Sequence, residues 1–356
     1  MQIGFLVATN DNRCAITQKT LDKYSKQFKA VLLEKGLTQP VGLDLQGEKL
    51  KIVDRTTILK SADIIYVNEP ISEEEFLMMK PDSLLISTFG IFDPAIKPFK
   101  ADHQVSVFSM DMIPRTTLAQ SMDMLSSMAS IAGYKAVLKA ATHLPRYFPM
   151  MMTAAGTIKP STVLILGAGV AGLQAIATAR RLGARVEVFD VRKAVKTEVE
   201  SLGAKFVEVE GSKDDKAAGG YAVEQTEEYK KRQKEKIHER VQNADVVITT
   251  AQLRGRKAPI LVTEEMVKGM KFGSVIIDMA SSTGGNCEIT EDGKTISKYG
   301  VTIIGNSYLA HEALIDASDL LSNNVHDFTM LFVKDETLTI DLENEIISSS
   351  RIYPKQ

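Results

Sequence analysis

At 356 residues the chain is longer than one ordinary domain and predicts two. Its 44% hydrophobic and 25% charged content is that of a water-soluble globular protein, and a formal net charge of −2 offers no basic stripe for nucleic acid. Met1 leads straight into strand-like QIGFLVAT without a basic signal region, and no apolar run approaches the ~18 residues of a membrane helix; Cys14 and Cys287, far apart, form neither a metal pattern nor a disulfide framework and point to a reducing, cytosol-like compartment.

The first third alternates strand-like and helix-like pieces. IGFLVAT predicts a strand. TQKTLDKYSKQFKAVLLEK then predicts a helix, with Leu21, Tyr24, Phe28, Val31 and Leu32 at helical spacing and Gly36 as its stop. ADIIYVNEP, SLLISTFG and HQVSVFSMD predict further strands, punctuated by Pro70 and Gly90. Strands alternating with helices imply a parallel α/β sheet.

PRTTLAQSMDML, residues 114–125, places Arg115, Gln120 and Asp123 in a short span before a helical run. An acid–base triad, a clamp for a ligand and a plain helix N-terminus are all open readings, the last because the helix dipole favours Asp123 there. Residues 118–143 predict one long connecting helix in which Met122, Leu125, Met128, Ala129, Ala132 and Ala136 keep an i, i+3, i+4 rhythm, the methionines serving as core filler.

A second α/β unit begins at STVLILGAGVAGLQAIATARRLGARVEVFD. Gly167, Ala168, Gly169, Val170, Ala171 and Gly172 form a G-x-G-x-x-G turn between an apolar strand and an Ala-rich helix. In such a turn Gly167 makes the tight bend, Gly169 lets backbone approach a pyrophosphate, and Gly172 lets helix and strand pack closely. Asp190 ends the next strand, with Val191 and Arg192 after it. Its carboxylate is placed to accept from a ribose hydroxyl and to repel a 2′-phosphate, which predicts NAD(H) over NADP(H), although an arginine such as Arg192 can admit the phosphate. AKFVEVEG, ADVVITTA, GSVIIDMA and GVTIIGNS predict further strands. Their carboxyl ends nominate Thr250, Ala251 and Gln252, then Asp278, Met279 and Ala280 through Ser282, and Asn306, with GGN at 284–286 supplying backbone flexibility.

Residues 210–240 break the pattern. They read as a loop followed by a solvated helix, either a surface insertion or a lid whose hinge is Gly219-Gly220 and whose tip is Tyr221. HEALIDASDLLSNNVHDFTMLFV predicts a helix and TLTIDLENEIISSSRIY a hairpin-like tail, both packed on the first domain. The expected architecture is two Rossmann-like doubly wound parallel-sheet domains, 1–125 plus 314–356 and 126–313, joined by a long helix with a cleft between them.

A dehydrogenase acting on a hydroxy or amino acid must move a proton as well as a hydride. Of five histidines only His311 lies near a strand end, and a capping or surface role suits it. The sequence thus carries a hydride carrier's site without an evident proton-handling group.

AQSMDMLSSMASIAGYKAV, FPMMMTAAGTIKPSTVLILGAGVAGLQAIATARRLGA, DVRKAVKTEVESLGAKFVEVE, AGGYA, APILVTEEMV and GSVIIDMASSTGGNC together resemble the soluble NAD(H)-binding component of proton-translocating NAD(P) transhydrogenases, a family that also holds alanine dehydrogenases. The resemblance is dense over about residues 110–305. It implies hydride transfer from NADH to NADP⁺ on a separate NADP(H)-binding subunit, a membrane-spanning subunit that couples transfer to proton passage, a homodimer, and a cytoplasmic place on the inner face of the bacterial membrane. It implies that Arg115, Gln120, Asp123 and Ser126 lie by the nicotinamide, facing the NADP component, and that Gly220 and Tyr221 belong to a mobile loop. Hydride passing between two nicotinamides releases no proton at the reacting carbons, so positioning at about 3–3.5 Å is what such a site must supply. Leu118 stands where the family often has a second arginine, Lys135 where it often has arginine, and Tyr66 and Thr88 where amino-acid dehydrogenases place lysine and histidine. A stand-alone amino- or keto-acid dehydrogenase and a non-catalytic NAD(H)-sensing module are the competing expectations.

Overall fold

The computed structural model describes residues 1–90, 99, 102–209, 226–252 and 255–354. The chain divides into two compact units, Met1–Met128 with Ala313–Gln356, and Ala129–Glu312.

In the first unit, strands β1 (Gln2–Phe5), β2 (Ala30–Glu34), β3 (Leu50–Val53), β4 (Ile64–Tyr66), β5 (Ser83–Ser87) and β6 (Val105–Ser109) pair in the order β3-β2-β1-β4-β5-β6, all parallel. The central strands β4 and β5 are buried at every position, as apolar runs covered on both faces must be. Helices α1 (Gln18–Gln27), α2 (Arg55–Ser61) and α3 (Glu73–Met78) make the crossovers. Asp54 caps α2 by accepting from the Thr57 amide at 2.8 Å, and Ser72 and Glu75 close a capping box on α3. Helix α4 (Met124–His143) carries the boundary between the units.

The second unit opens with an exposed hairpin, β7 (Met151–Thr153) and β8 (Gly156–Ile158). Strands β9 (Thr162–Leu166), β10 (Arg185–Phe189), β11 (Lys205–Phe206), β12 (Val246–Thr249), β13 (Val275–Asp278), β14 (Thr295–Lys298) and β15 (Val301–Gly305) follow, in the order β11-β10-β9-β12-β13-β15-β14. All pairs are parallel except β14 with β15. Helices α5 (Val170–Arg181), α6 (Lys196–Ser201), α7 (Glu227–Asn243) and α8 (Glu264–Lys268) flank the sheet. The order reverses between β9 and β12, the crevice position where doubly wound sheets bind ligands.

The chain then returns to the first unit. Helix α9 (Leu314–Thr329) buries Leu321, Val325 and Phe328 in the same core as Ile3, Phe5 and Tyr24. A short hairpin, β16 (Val333–Lys334) and β17 (Thr337–Leu338), leads to α10 (Glu345–Ser350), and β18 (Arg351–Tyr353) pairs antiparallel with β6.

Four expectations need correction. The stretch from Thr17 to Lys35 is helix and then strand: Phe28 ends α1 with extended backbone, and Val31 and Leu32 lie in β2. Their helical spacing from Tyr24 is coincidental, because the wholly buried run Ala30–Leu33 is a central strand. The long helix begins at Met124, since residues Thr117–Met122 form a 3-10 turn that Asp123 terminates. The tail is a helix and an edge strand after its hairpin, because Asn344 caps α10 by accepting from the Ile346 amide at 2.9 Å. Strands β3 and β14 were not anticipated; both are only four residues long, β14 is mostly exposed and polar, and β3 turns apolar Ile52 to solvent.

Candidate nucleotide-binding site and the Arg115 loop

Gly167 follows β9 with φ +110°, a left-handed bend, and a Cβ there would meet the Thr250 hydroxyl oxygen at 2.4 Å. At Gly172 a Cβ would lie 2.0 Å from the Gly167 carbonyl oxygen, so the first turn of α5 sits directly on the bend. Gly169, the residue before α5, is exposed, has no side chain to cap the helix, and a Cβ there would meet nothing within 4 Å. The first internal bond of α5 runs from the Leu173 amide to the Gly169 carbonyl at 2.8 Å, leaving the amides of Val170, Ala171 and Gly172 without intrahelical partners. Ala168 is buried, whereas Val170 is exposed beside Gly169. A solvent-exposed glycine turn leading into orphan amides at a helix N-terminus fits a pyrophosphate. Sequence reasoning passed over Gly133: a Cβ there would lie 2.1 Å from the Ala171 carbonyl, so α4 packs against the start of α5.

Asp190, at the end of β10, is buried. Its Oδ2 accepts from the Ala168 amide at 2.7 Å and from Arg192 Nη2 at 2.9 Å, and its Oδ1 accepts from the Arg192 amide at 2.8 Å and from Arg192 Nε at 3.0 Å. The carboxylate is thus tied to the glycine loop and paired with Arg192, the arginine that follows it in sequence. Val191 packs at the edge of the core beneath it. Tyr229 of α7, itself buried, has its phenol pushed up, first by burial and then by the Asp190 charge.

The ends of β12 and β13 are joined by a buried network. Asp278 accepts at Oδ1 from the Thr249 hydroxyl and the Ala280 amide, each at 3.0 Å, and at Oδ2 from the Asn286 and Cys287 amides at 2.8 and 2.9 Å. It has no exposed surface, so it shapes the loops and offers nothing to a ligand, contrary to its nomination. Asn286 was assigned only to a flexible GGN turn; it is a fully buried strut that accepts from the Ala251 amide and donates to the Ala251 and Pro259 carbonyls. Thr250 donates to the Gly167 carbonyl at 3.1 Å, and Gln252 to the Met279 carbonyl at 2.9 Å. Ala280 is fully buried and Met279 nearly so, while Gln252 is exposed. Asn306 accepts from the Tyr308 amide at 2.8 Å. Burial, foremost among the causes, pushes the Cys287 thiol up to about 11.

In the first unit, the loop after β6 carries the Arg115 group. Asp123 accepts from the Ser126 amide at 2.9 Å and from the Ser126 hydroxyl at 2.6 Å, which is the cap of α4. The plain helix-terminus reading thus describes Asp123 and Ser126. It does not describe Arg115 or Gln120, which are exposed and whose side chains have no hydrogen-bond partner among the described residues. The turn presenting them is anchored by buried Ala119 and Met122 and by Asn324, which donates to the Ser121 carbonyl at 2.7 Å. Leu118, at its crest, is 84% exposed.

Tyr66 and Thr88 place a phenol and a hydroxyl where amino-acid dehydrogenases place lysine and histidine. The Tyr66 phenol is buried, donates to Asn68 at 2.6 Å, and is pushed far up by that burial; the Thr88 hydroxyl donates to Met124 Sδ at 3.3 Å. Arg13 and Asp11 form an ion pair close by. His311 lies on a 3-10 turn with its ring against Tyr308. Among the described residues no cluster of His, Cys, Asp and Glu could hold a metal. Gly220 and Tyr221 lie outside the described residues.

The alanine dehydrogenase/PNT N-terminal domain matches residues 7–132 and the alanine dehydrogenase/PNT C-terminal domain residues 136–354. The chain belongs to the alanine dehydrogenase/PNT family. Within that family it is 41% identical to the first portion of NAD(P) transhydrogenase subunit alpha from Rhodospirillum rubrum, over 96% of this chain and 92% of that protein. Identity to the alanine dehydrogenase of Methanococcus maripaludis is 26%, over 83% of this chain and 77% of that one. The crystal structure of transhydrogenase from Sinorhizobium meliloti superimposes with a TM-score of 0.86 at 36% identity, covering 98% of this chain and 97% of that one. These relatives support a transhydrogenase role, an oxidoreductase activity and the binding of nicotinamide nucleotide. Among the described residues no helix is long and apolar enough to cross a membrane.

Proposed function

We propose that this chain is the NAD(H)-binding subunit of a proton-translocating transhydrogenase, which holds NADH while its hydride passes to NADP⁺ on a partner subunit. A membrane-spanning subunit would couple that exchange to proton movement, with this chain, as a homodimer, peripheral on the cytoplasmic face. The observation that carries the reading is a bare, glycine-lined helix N-terminus in a chain whose Tyr66 and Thr88 side chains are engaged with Asn68 and Met124 where amino-acid dehydrogenases place lysine and histidine.

The amides of Val170, Ala171 and Gly172 would hold the pyrophosphate and the Asp190 corner the adenosine ribose. Gln252, exposed at the same edge, is available to the nucleotide, while Thr250 and Asp278 fix the loops around it. Bound NADH supplies the hydride. Arg115 and Gln120 are assigned to orienting the nicotinamide, with Asp123 and Ser126 fixing the turn that carries them. No proton moves at either reacting carbon, so these groups need direction and not titration.

The test mixes this chain with an NADP(H)-binding partner subunit and follows hydride exchange between NADH and an NADP⁺ analogue. Exchange is expected, and Gln120→Ala should slow it at least tenfold while leaving NADH affinity within about twofold. Tight NADH binding without exchange would overturn the reading, as would NADH oxidation by this chain alone with pyruvate and ammonia.

A further inference from the structure

The turn that carries Gln120 is held in two different ways. Residues Thr117–Met122 form a 3-10 helix, which repeats every three residues, so buried Ala119 and Met122 lie on one edge and exposed Gln120 on the next. Both anchors belong to the core that also contains Leu321, Val325 and Phe328 of α9. Burial is non-directional: it sets how deep the turn sits and leaves it free to roll about the Ala119–Met122 edge. The directed contact is polar. Asn324 of α9 is 5% exposed, and its Nδ2 donates to the carbonyl of Ser121, the residue after Gln120, at 2.7 Å. Helix α9 is itself held on its opposite flank. There Ser318 accepts from the Cys14 amide at 2.9 Å, and the Ser322 hydroxyl, about 200° round the helix from Asn324, lies 3.3 Å from the Thr17 hydroxyl.

The other half of the same amide is left over. Asn324 Oδ1 is buried and has no hydrogen-bond partner among the described residues. Exchanging the oxygen and nitrogen does not help, because the atom facing the Ser121 carbonyl must be the donor. An apolar side chain of similar volume would fill the place without burying an unpaired acceptor. The amide therefore serves stability poorly, and what it alone supplies is the direction of one bond.

We propose that Asn324 is a positioning residue for hydride transfer: its bond to the Ser121 carbonyl sets the rotation of the turn, and with it the direction in which Gln120 points. Being buried, it acts only through Gln120. Transfer between two nicotinamides depends on alignment, and a misplacement of about 1 Å costs on the order of a hundredfold in rate, so a roll of the turn slows exchange without loosening the nucleotide. This assignment rests on the reading above, in which Gln120 orients the nicotinamide.

The experiment is a double-mutant cycle with Gln120 on the full chain, mixed with an NADP(H)-binding partner subunit. It reads the exchange rate at saturating NADH, the NADH dissociation constant and the thermal midpoint. Asn324→Leu should keep the midpoint at or near that of wild type and NADH affinity within about twofold, while exchange slows about tenfold. Asn324→Ala, which adds no bulk, should slow exchange alike and carries the test if the leucine variant does not fold. In the Gln120→Ala background either substitution should slow exchange by less than about twofold, because the group it directs is gone. Equal slowing in both backgrounds would make Asn324 a packing residue and overturn the proposal, as would undiminished exchange in the chain that keeps Gln120. If wild type exchanges no hydride, or Gln120→Ala leaves exchange unchanged, the reading of the turn itself falls, and the inference with it.

Discussion

The two units of this chain share one strand order, 3-2-1-4-5-6 with an antiparallel strand at the far edge, yet they treat the end of their first strand in opposite ways. In the second unit β9 runs through three residues into α5, whose N-terminus is bare. In the first, residues 6–17 separate β1 from α1, and Thr17 and Thr20 at the N-terminus of α1 are buried. The Thr20 hydroxyl accepts from the Thr17 amide at 2.9 Å, the Thr17 and Ser322 hydroxyls lie 3.3 Å apart, and the Cys14 amide donates to Ser318 at 2.9 Å. Helix α9 thus fills the place that the other unit leaves open. Topology supplies a crevice in both sheets; the residues after the first strand decide whether it stays available to an anion.

The largest expected effect tests whether the units are energetically separate. Asp278→Asn puts an amide group among four donors in the second unit, leaving buried N–H groups without acceptors. It should cost about 3 kcal/mol, as loss of a buried charged acceptor does. Hydrogen exchange should show amides of β12 and β13 losing protection by that amount, with β4 and β5 unmoved. Equal loss in both units would mean that they unfold together and that the contrast is one of shape alone.

A smaller effect separates binding from stability. Gly169 has extended backbone, φ −78° and ψ −170°, and space around its Cα, so Gly169→Ser fits the fold and adds an N-cap oxygen. Stability should stay level or rise by a few tenths of a kcal/mol, while NADH affinity falls about tenfold or more because the hydroxymethyl stands in front of the α5 amides proposed to hold the phosphates. Unchanged affinity would show that the bare helix end is not where the nucleotide's phosphates sit.

The contrast between the units was only half legible in the sequence. The strand–glycine turn–helix of the second unit announces itself because each glycine answers a local demand: a left-handed bend at Gly167 and a contact too close for a side chain at Gly172. The sealed N-terminus of α1 depends on Ser318 and Ser322, about three hundred residues away, and no window of neighbouring residues contains that information. A different limit hid the Arg192 grip on Asp190. Spacing shows that the two are close, but only the rotamer shows that all the acceptor positions are taken. Asn286 looked like part of a flexible turn because two glycines precede it; they have positive φ, and the turn they make is what drives the asparagine inward. In the Arg115 loop, a helix-terminus role for Asp123 was open to the sequence, whereas its bond to the Ser126 hydroxyl and the exposure of Leu118 depend on the fold of the turn.

The smallest effect concerns the sealed end. Thr17→Ala removes the hydroxyl that faces Thr20 and Ser322 while leaving the backbone of the turn in place. Loss of a cap of this kind costs about 1 kcal/mol, read as a shift in denaturation midpoint of the first unit. NADH affinity should not change, because the phosphate site proposed above lies at the other helix, α5. A fall in affinity matching the fall in stability would mean that nucleotide binding depends on the first unit's helix terminus, and the division of labour between a filled crevice and an open one would have to be abandoned.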